Sequence, residues 1–186
     1  MDTDRSTDRR AIEDCLLRYV RGVDRKNWDL VRSAYHPDAH DDHGAYKGGI
    51  DGFIASRLKV HATIEQSMHL VTNLTIEFAG PDTALVESYF ITHQRHSPEA
   101  GDARLAYLRG APIAADQAVE TEVIGRYVDQ MTRKDGSWRI QRRTVVFEVV
   151  RGHPAPPGGG LNPNWALSRR DGHDPLEVAR HELGLL

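Results

Sequence analysis

Asp24, His69 and Arg143 are the residues whose types suit proton-transfer chemistry, and Tyr19 precedes Asp24 by five residues. A carboxylate bonded to one imidazole nitrogen fixes the ring's tautomer and stabilises the imidazolium that forms; the other nitrogen then takes a proton. Brought together in a cavity, Asp24 and His69 would make a general-base dyad, and a reaction that begins by proton abstraction needs no nucleophile. Arg143, in "RIQRRTVVFEVV", shares a strand face with Val145 and Phe147, which read as buried. An arginine among such neighbours needs an anion or an acceptor, and would polarise a substrate oxygen or meet a leaving group. Arg126 and Arg142 fit that role equally by sequence. Tyr19 is at the centre of an apolar helical stripe, where its hydroxyl can donate into a pocket.

Each residue also has a plainer reading. In "QSMHLVTNLTIEF", Met68, Leu70, Leu74, Ile76 and Phe78 alternate with His69, Val71, Asn73, Thr75 and Glu77, the pattern of a half-buried strand. His69 is on the more polar face and reads as a solvated residue unless that face lines a cavity. Asp24 falls between Val20 and Leu17 on a helical wheel, inside the apolar arc, where a carboxylate is costly unless paired. If the helix stops at Gly22, Asp24 is simply solvated. For Arg143 the plain reading is a rim salt bridge. The run "HPDAHDDHG" invites a metal, but it has no H-E-x-x-H spacing and no cysteine pair, so no metal site is assigned.

These side chains need elements to position them. "RAIEDCLLRYVRGVD" carries Ile12, Cys15, Leu16, Tyr19, Val20 and Val23 at helical spacing; the ten residues before it read as frayed. Asn27 suits the N-cap of a second helix with Trp28, Val31 and Tyr35 on its apolar side, ended by Pro37. "HPDAHDDHGAYKG" reads as a loop or short strand with a turn at Gly48-Gly49. A third helix, "IDGFIASRLKVHA", would turn Ile50, Phe53, Ile54 and Leu58 inward. Strands follow at 69–78, 84–94, 119–132 and 138–150, the last two joined by a hairpin turn at Asp135-Gly136. Helices first and a meander of strands after them is an α+β order. The tail "HPAPPGGGLNPNW" is too rich in Pro and Gly for regular structure, and a short helix is expected over "DPLEVARHEL". The division is therefore a folded domain over 1–150 and a Pro/Gly-rich arm over 151–186, which would cover a pocket mouth or reach a neighbouring subunit.

The 186 residues carry a formal net charge of -3, which offers nothing to nucleic acid or an anionic membrane. A single cysteine, Cys15, cannot form an internal disulfide, and no apolar run reaches membrane-spanning length. The N-terminus lacks an apolar signal core, so a cytoplasmic location is expected. There is no G-x-G-x-x-G, Walker or G-x-S-x-G motif, which removes the main support for nucleotide cofactors or a serine nucleophile.

Taken together, "RYVRGVDRKNWDLVRSAYHPDA", "GAYKGGIDGF", "MHLVTNLTIEF" and "GRYVDQMTRKDGSWRIQRRTVVFE" resemble the SnoaL-like branch of the nuclear transport factor 2-like superfamily over residues 9 to 150. The likeness points toward its lyases: bile-acid 7α-dehydratase, scytalone dehydratase and hexachlorocyclohexane dehydrochlorinase. It implies a cone-shaped barrel, three N-terminal helices closing a strongly bent mixed sheet around a deep pocket, and a homotrimer, with a homodimer as the other possibility. Asp24 in "GVDRK", His69 in "HLVTNL", Arg143 in "DGSWRIQRR" and Tyr19 match the family's catalytic positions. A further pocket aspartate of the bile-acid enzyme has no clear match; Thr92 or His93 falls near its place. Thr92, His93, Phe53 and Phe147 are the expected substrate contacts, and the long 96–118 loop is expected to shape the entrance. The function implied is a cofactor-independent lyase (dehydratase-like) or isomerase acting on a hydrophobic, ring-containing, steroid- or polyketide-like molecule. The alternatives are a non-catalytic ligand-binding or association module of the same fold, or a structural oxygenase β-subunit.

Overall fold

The computed structural model describes residues 5–108, 110, 112–156 and 160–185. Helices α1 (Ser6–Asp24) and α2 (Trp28–Ser33) lead into strands β1 (Tyr35–Asp42) and β2 (Lys47–Gly49) and helix α3 (Ile50–His61). Four long strands follow: β3 (Ile64–Phe78), β4 (Thr83–His96), β5 (Val119–Lys134) and β6 (Ser137–Pro154). A short helix α4 (Asp102–Leu105) lies in the β4–β5 loop, and α5 (Pro175–Glu182) ends the chain. The first four residues of the expected frayed segment lie outside the described residues; the helix already begins at Ser6.

The sheet is mixed, in the order β2-β1-β6-β5-β4-β3, with β1 parallel to β6 and the other pairs antiparallel. It is not closed: β2 and β3 are its edges. Yet α1 touches both β3 and β6, which in a flat sheet would lie about 14 Å apart at the usual strand spacing. One helix meets both because the sheet curls around it, giving the α+β cone.

The apolar stripe of α1 drives this closure. Ile12, Cys15, Leu16, Tyr19, Val20 and Val23 are all buried, each full burial stabilising by roughly 1.5–3 kcal/mol before entropy is subtracted. Leu17, placed by the helical wheel beside the apolar arc, is instead 47% exposed. The helix does not stop at Gly22 but runs to Asp24. Glycine is needed at 22 for a different reason: a Cβ there would stand 2.8 Å from the backbone nitrogen and Cγ2 of Val31. The close approach of α1 and α2, not helix termination, explains it.

Other expectations shift for local reasons. Asn27 caps α2 by accepting from the Leu30 N–H at 2.9 Å, but α2 ends at Ser33 and Pro37 lies inside β1. The β1–β2 turn falls at residues 43–46, closed by His43 N–H donating to the Tyr46 carbonyl; Gly49 caps α3. Leu58 faces outward at 49% exposure, and His61 takes an inward place on α3. In β3 the alternation changes parity at an irregularity between Thr72 and Thr75, where Asn73 has φ 49°. Met68 and Leu70 are therefore exposed while Ile76 is in the core and Leu74 packs against it. A strict two-residue period carried through residue 73 would have put Leu74 and Ile76 outside with Leu70.

The C-terminal arm folds back on its own chain. Arg25 donates to the Ser168 hydroxyl and lies 3.7 Å from the Asp174 carboxylate. Arg170 inserts between α1, α3 and β3, donating to the carbonyls of Val23, Asp24 and Ile64 and to the His61 ring.

Candidate active site

The last turn of α1 brings Asp24 against the start of β3. Its Oδ1 is 2.6 Å from His69 Nδ1 and accepts from the Ser67 hydroxyl at 2.8 Å; its Oδ2 accepts from the His69 backbone N–H at 2.9 Å. Burial pushes the Asp24 carboxyl up, but the His69 ring, the His69 N–H and Ser67 outweigh it and hold the group below the ordinary carboxylate value. Asp24 therefore remains an anion, and Nδ1 of His69 carries the proton between them. His69 Nε2 has no hydrogen-bond partner among the described residues, and the ring lines a cavity of about 320 Å³. Asp24 itself stands behind the imidazole. Larger surface clefts lie elsewhere, of about 380 Å³ along 148–152, about 690 Å³ under the arm and about 340 Å³ beside Leu17 and Arg180, and no imidazole lines any of the three among the described residues.

Around His69 the sheet and helices supply the cavity wall. Thr92 is directly opposite His69 in the β3–β4 register and lines the same space. Tyr19, Phe53, Phe90, Tyr127 and Phe147 give an aromatic surround, with Phe90 stacked on Tyr127 at 4.5 Å between ring centroids. Phe147, expected to be buried, is 47% exposed at the rim. Tyr107 from the 96–118 loop also lines the cavity. That loop is held by buried Arg104, which donates to the carbonyls of Gly101, Ala114, Ala115 and Gln117.

Tyr19 reaches the cavity, and burial pushes its hydroxyl up to about 12, so it is a neutral hydrogen-bond donor. His93 does not reach it: in β4 it alternates with Thr92 and lies on the other face. Arg143 does not line the cavity either. Its side chain is completely buried and forms two 2.7 Å bonds to Asp129 through Nε and Nη2. The guanidinium carbon lies 4.2 Å from the Tyr19 ring centroid and 4.0 Å from that of Tyr127. Arg143 thus supports the aromatic wall from behind. The other two arginines considered are also occupied outside: Arg126 bridges Glu87 and Glu148, and Arg142 is exposed.

Three basic side chains of the cavity, His43, His61 and Arg57, were given no role in it from the sequence. His43 lines the space with Nδ1 3.2 Å from Asp41 Oδ1, while Tyr35 donates to the other Asp41 oxygen at 2.7 Å. This is a second Asp–His pair, and burial lowers its imidazole below the ordinary histidine value despite Asp41. Asp41, Arg143 and Asp129 are register partners across β1, β6 and β5, a buried row of alternating charge. His61 accepts at Nδ1 from Arg170 at 2.8 Å, and burial, reinforced by Arg170, takes it down to about 2. It is neutral with its proton on Nε2. Arg57 is the third. Two aspartates in "HPDAHDDHG" and its first two histidines go elsewhere: Asp38 to Lys134, Asp42 to Lys47, His36 to the Thr132 carbonyl, and His40 is only partly buried. Among the described residues no three His, Cys, Asp or Glu side chains group to hold an ion. A two-residue period puts Asp41 and His43 on one face, but nothing in the run showed that they would bond to each other inside a cavity.

A curled α+β sheet closed by helix α1, with an Asp-backed histidine in its cavity, defines a cone-fold protein. The chain belongs to the SnoaL-like domain family, whose model matches residues 4–144. Among solved structures it is similar to a candidate scytalone dehydratase from Novosphingobium aromaticivorans (17% identity, 87% of this chain and 100% of that one, TM-score 0.66). It is also similar to the type-3 hexachlorocyclohexane dehydrochlorinase of Novosphingobium barchaimii (20%, 88% and 100%, TM-score 0.62). A third match is a candidate aromatic ring hydroxylase from Novosphingobium aromaticivorans (25%, 79% and 94%, TM-score 0.63). No curated protein matches by sequence. No helix among the described residues is long and apolar enough to cross a membrane.

Proposed function

We propose that this protein is a cofactor-independent lyase or isomerase in which His69, oriented by Asp24, is the general base. The observation that carries the reading is the 2.6 Å Asp24–His69 contact with the second imidazole nitrogen turned to a cavity. In the elimination, Nε2 takes a proton from a carbon beside an activating group. The C–H electron pair becomes the new C=C bond, and the bond to a neighbouring hydroxyl or halogen breaks. A halide departs as the anion; hydroxide departs as water with the proton returned by the imidazolium. If no leaving group is present, reprotonation at another carbon gives isomerisation. Tyr19 donates a hydrogen bond to the substrate's activating oxygen or leaving group. Arg143 acts through Tyr19 and Tyr127, as a positioning residue.

Similarity to a candidate scytalone dehydratase and to a dehydrochlorinase supports an elimination as the reaction type. The aromatic wall favours a ring-containing substrate. A cavity of about 320 Å³ is at the small end of the roughly 300–1,000 Å³ that ligand pockets span, which favours a one- or two-ring molecule over a steroid. General-base catalysis contributes typically ~10²–10⁴-fold, so positioning in the cavity must supply the rest. A panel of one- and two-ring β-hydroxy and β-halo carbonyl compounds, followed by absorbance of the new double bond, tests this. Turnover should fall to background with His69→Ala; equal turnover by wild type and His69→Ala refutes the reading. The homotrimer is part of the same proposal. Met68, Leu70, Tyr89 and Ile91 leave an apolar patch on the outer face of β3 and β4, and a monomeric mass by light scattering would count against it.

A further inference from the structure

The cavity has a guanidinium that no carboxylate among the described residues neutralises. Arg57, on the inward-turning side of α3, lines the cavity beside Phe53 and His61. Its Nη2 donates to the hydroxyl of its neighbour Ser56 at 3.0 Å, and its Nε is buried with no hydrogen-bond partner. No carboxylate among the described residues lies within salt-bridge distance of it. That sets it apart from Arg25, Arg95, Arg126, Arg133 and Arg143, each of which faces a carboxylate. The wall is equally one-sided: three imidazoles, of His43, His61 and His69, and one guanidinium line it, and no Asp or Glu among the described residues does. Asp24 and Asp41 are both turned away, bonded behind their histidines. Arg57's charge is felt within the cavity, where it contributes to the lowering of His43 and His61.

Arg57 lines the cavity with donors that its one bond to Ser56 leaves unused, and a planar guanidinium matches a carboxylate's two oxygens. Leaving such a donor desolvated and unpaired is unfavourable; a ligand oxyanion removes that cost. We infer that Arg57 is an anion-binding residue, and that the molecule this cavity takes is a small apolar acid, its carboxylate on Arg57 and its ring against the Phe53, Phe90 and Phe147 surfaces. This rests on the cavity assigned above but not on His69 being a base. It also supplies an activating group: a carboxylate whose charge is balanced by a guanidinium costs less to convert, at the adjacent carbon, into the doubly charged enediolate that proton removal would generate.

The test is a binding titration of the full chain with benzoate and its neutral isostere benzamide, by calorimetry and by following the histidine ring signals in NMR spectra. Benzoate should bind at least about tenfold more tightly than benzamide and move the His43 and His61 signals, since a charge-assisted pair is worth about one decade or more in affinity. Arg57→Gln should remove that preference, leaving benzamide binding unchanged; Arg57→Lys should retain part of it. Benzoate and benzamide binding alike, benzoate failing to bind, or a preference that survives Arg57→Gln would each overturn the assignment. An Arg57-dependent preference in a protein whose eliminations do not depend on His69 would uphold the anion site and refute the catalytic reading instead.

Discussion

Asp24 holds His69 at two points: one carboxylate oxygen meets the ring Nδ1 at 2.6 Å, and the other accepts the backbone N–H of the same residue at 2.9 Å. The double attachment fixes both the rotamer of the imidazole and the register of β3 beside α1. Asp24→Asn should therefore reduce turnover by ~10²–10⁴-fold while the fold persists, because the amide oxygen can keep one of the bonds. Since the folded carboxyl is held below its unfolded value of 3.8, its stabilising effect is complete above that value and is lost as pH falls through the lower, folded one. Denaturant titrations should show wild type more stable than Asp24→Asn at neutral pH, with the gap closing below about pH 3.8.

Arg143 and Asp129 are fully buried and bonded to each other, and removing one partner of such a pair leaves an uncompensated buried charge. Asp129→Ala should cost about 3–5 kcal/mol, measured by urea unfolding. If Arg143 instead touched substrate, a substitution at Asp129 would change the substrate KM with little loss of stability.

Arg170 satisfies three carbonyls at the junction of α1 and β3 and holds His61 by its Nδ1. Arg170→Ala should lower stability by about 1.5–3 kcal/mol and, because the junction carries Asp24, lower kcat more than it raises KM. Hydrogen exchange at the end of α1 and the start of β3 should quicken in the variant; unchanged exchange there would mean that the arm is not a strut for the dyad.

His61 gives the protein an acid-side weakness. Its folded value is lowered from 6.5 to about 2, so below pH 6.5 the unfolded chain takes up a proton that the folded one does not. Stability is full above pH 6.5 and falls as pH drops toward 2, by up to about 1.4 kcal/mol per pH unit from this one group. His61→Gln, whose amide oxygen can still accept from Arg170, should flatten the wild-type slope between pH 6 and 4; an identical slope would show that His61 is protonated in the folded protein.

The helix-one stripe and the four long strands were legible because helical and strand periodicities report which face is buried; Asp24, His69, Tyr19 and Thr92 were marked out by the family resemblance, since periodicity alone left Asp24 and His69 with a solvated reading. Three things were not. The parity change at Asn73 depends on one residue's positive φ, which a two-residue period cannot register. Arg143 was read as a substrate contact because nothing local showed that Asp129, on the neighbouring strand, would take its charge. Arg57 and His61 were passed over because α3 has no clean apolar stripe: Leu58 and Val60, the residues that look inward by hydropathy, are 49% and 39% exposed. For Arg143 and His61 a long-range partner decides the outcome, and no window along the chain contains both partners.

The central claim is that His69 removes a proton from carbon, and solvent deuterium incorporation reads that step even when no product is released. A compound turned over by the wild-type protein is incubated in deuterium oxide with wild type and with His69→Ala, and C–H loss is followed by NMR. The account predicts loss of the substrate C–H signal with wild type, as deuterium exchange into substrate or isomer or as formation of the alkene, and at least ~10²-fold less with His69→Ala. Equal C–H loss with the two proteins, with both folded to the same thermal stability, would contradict it.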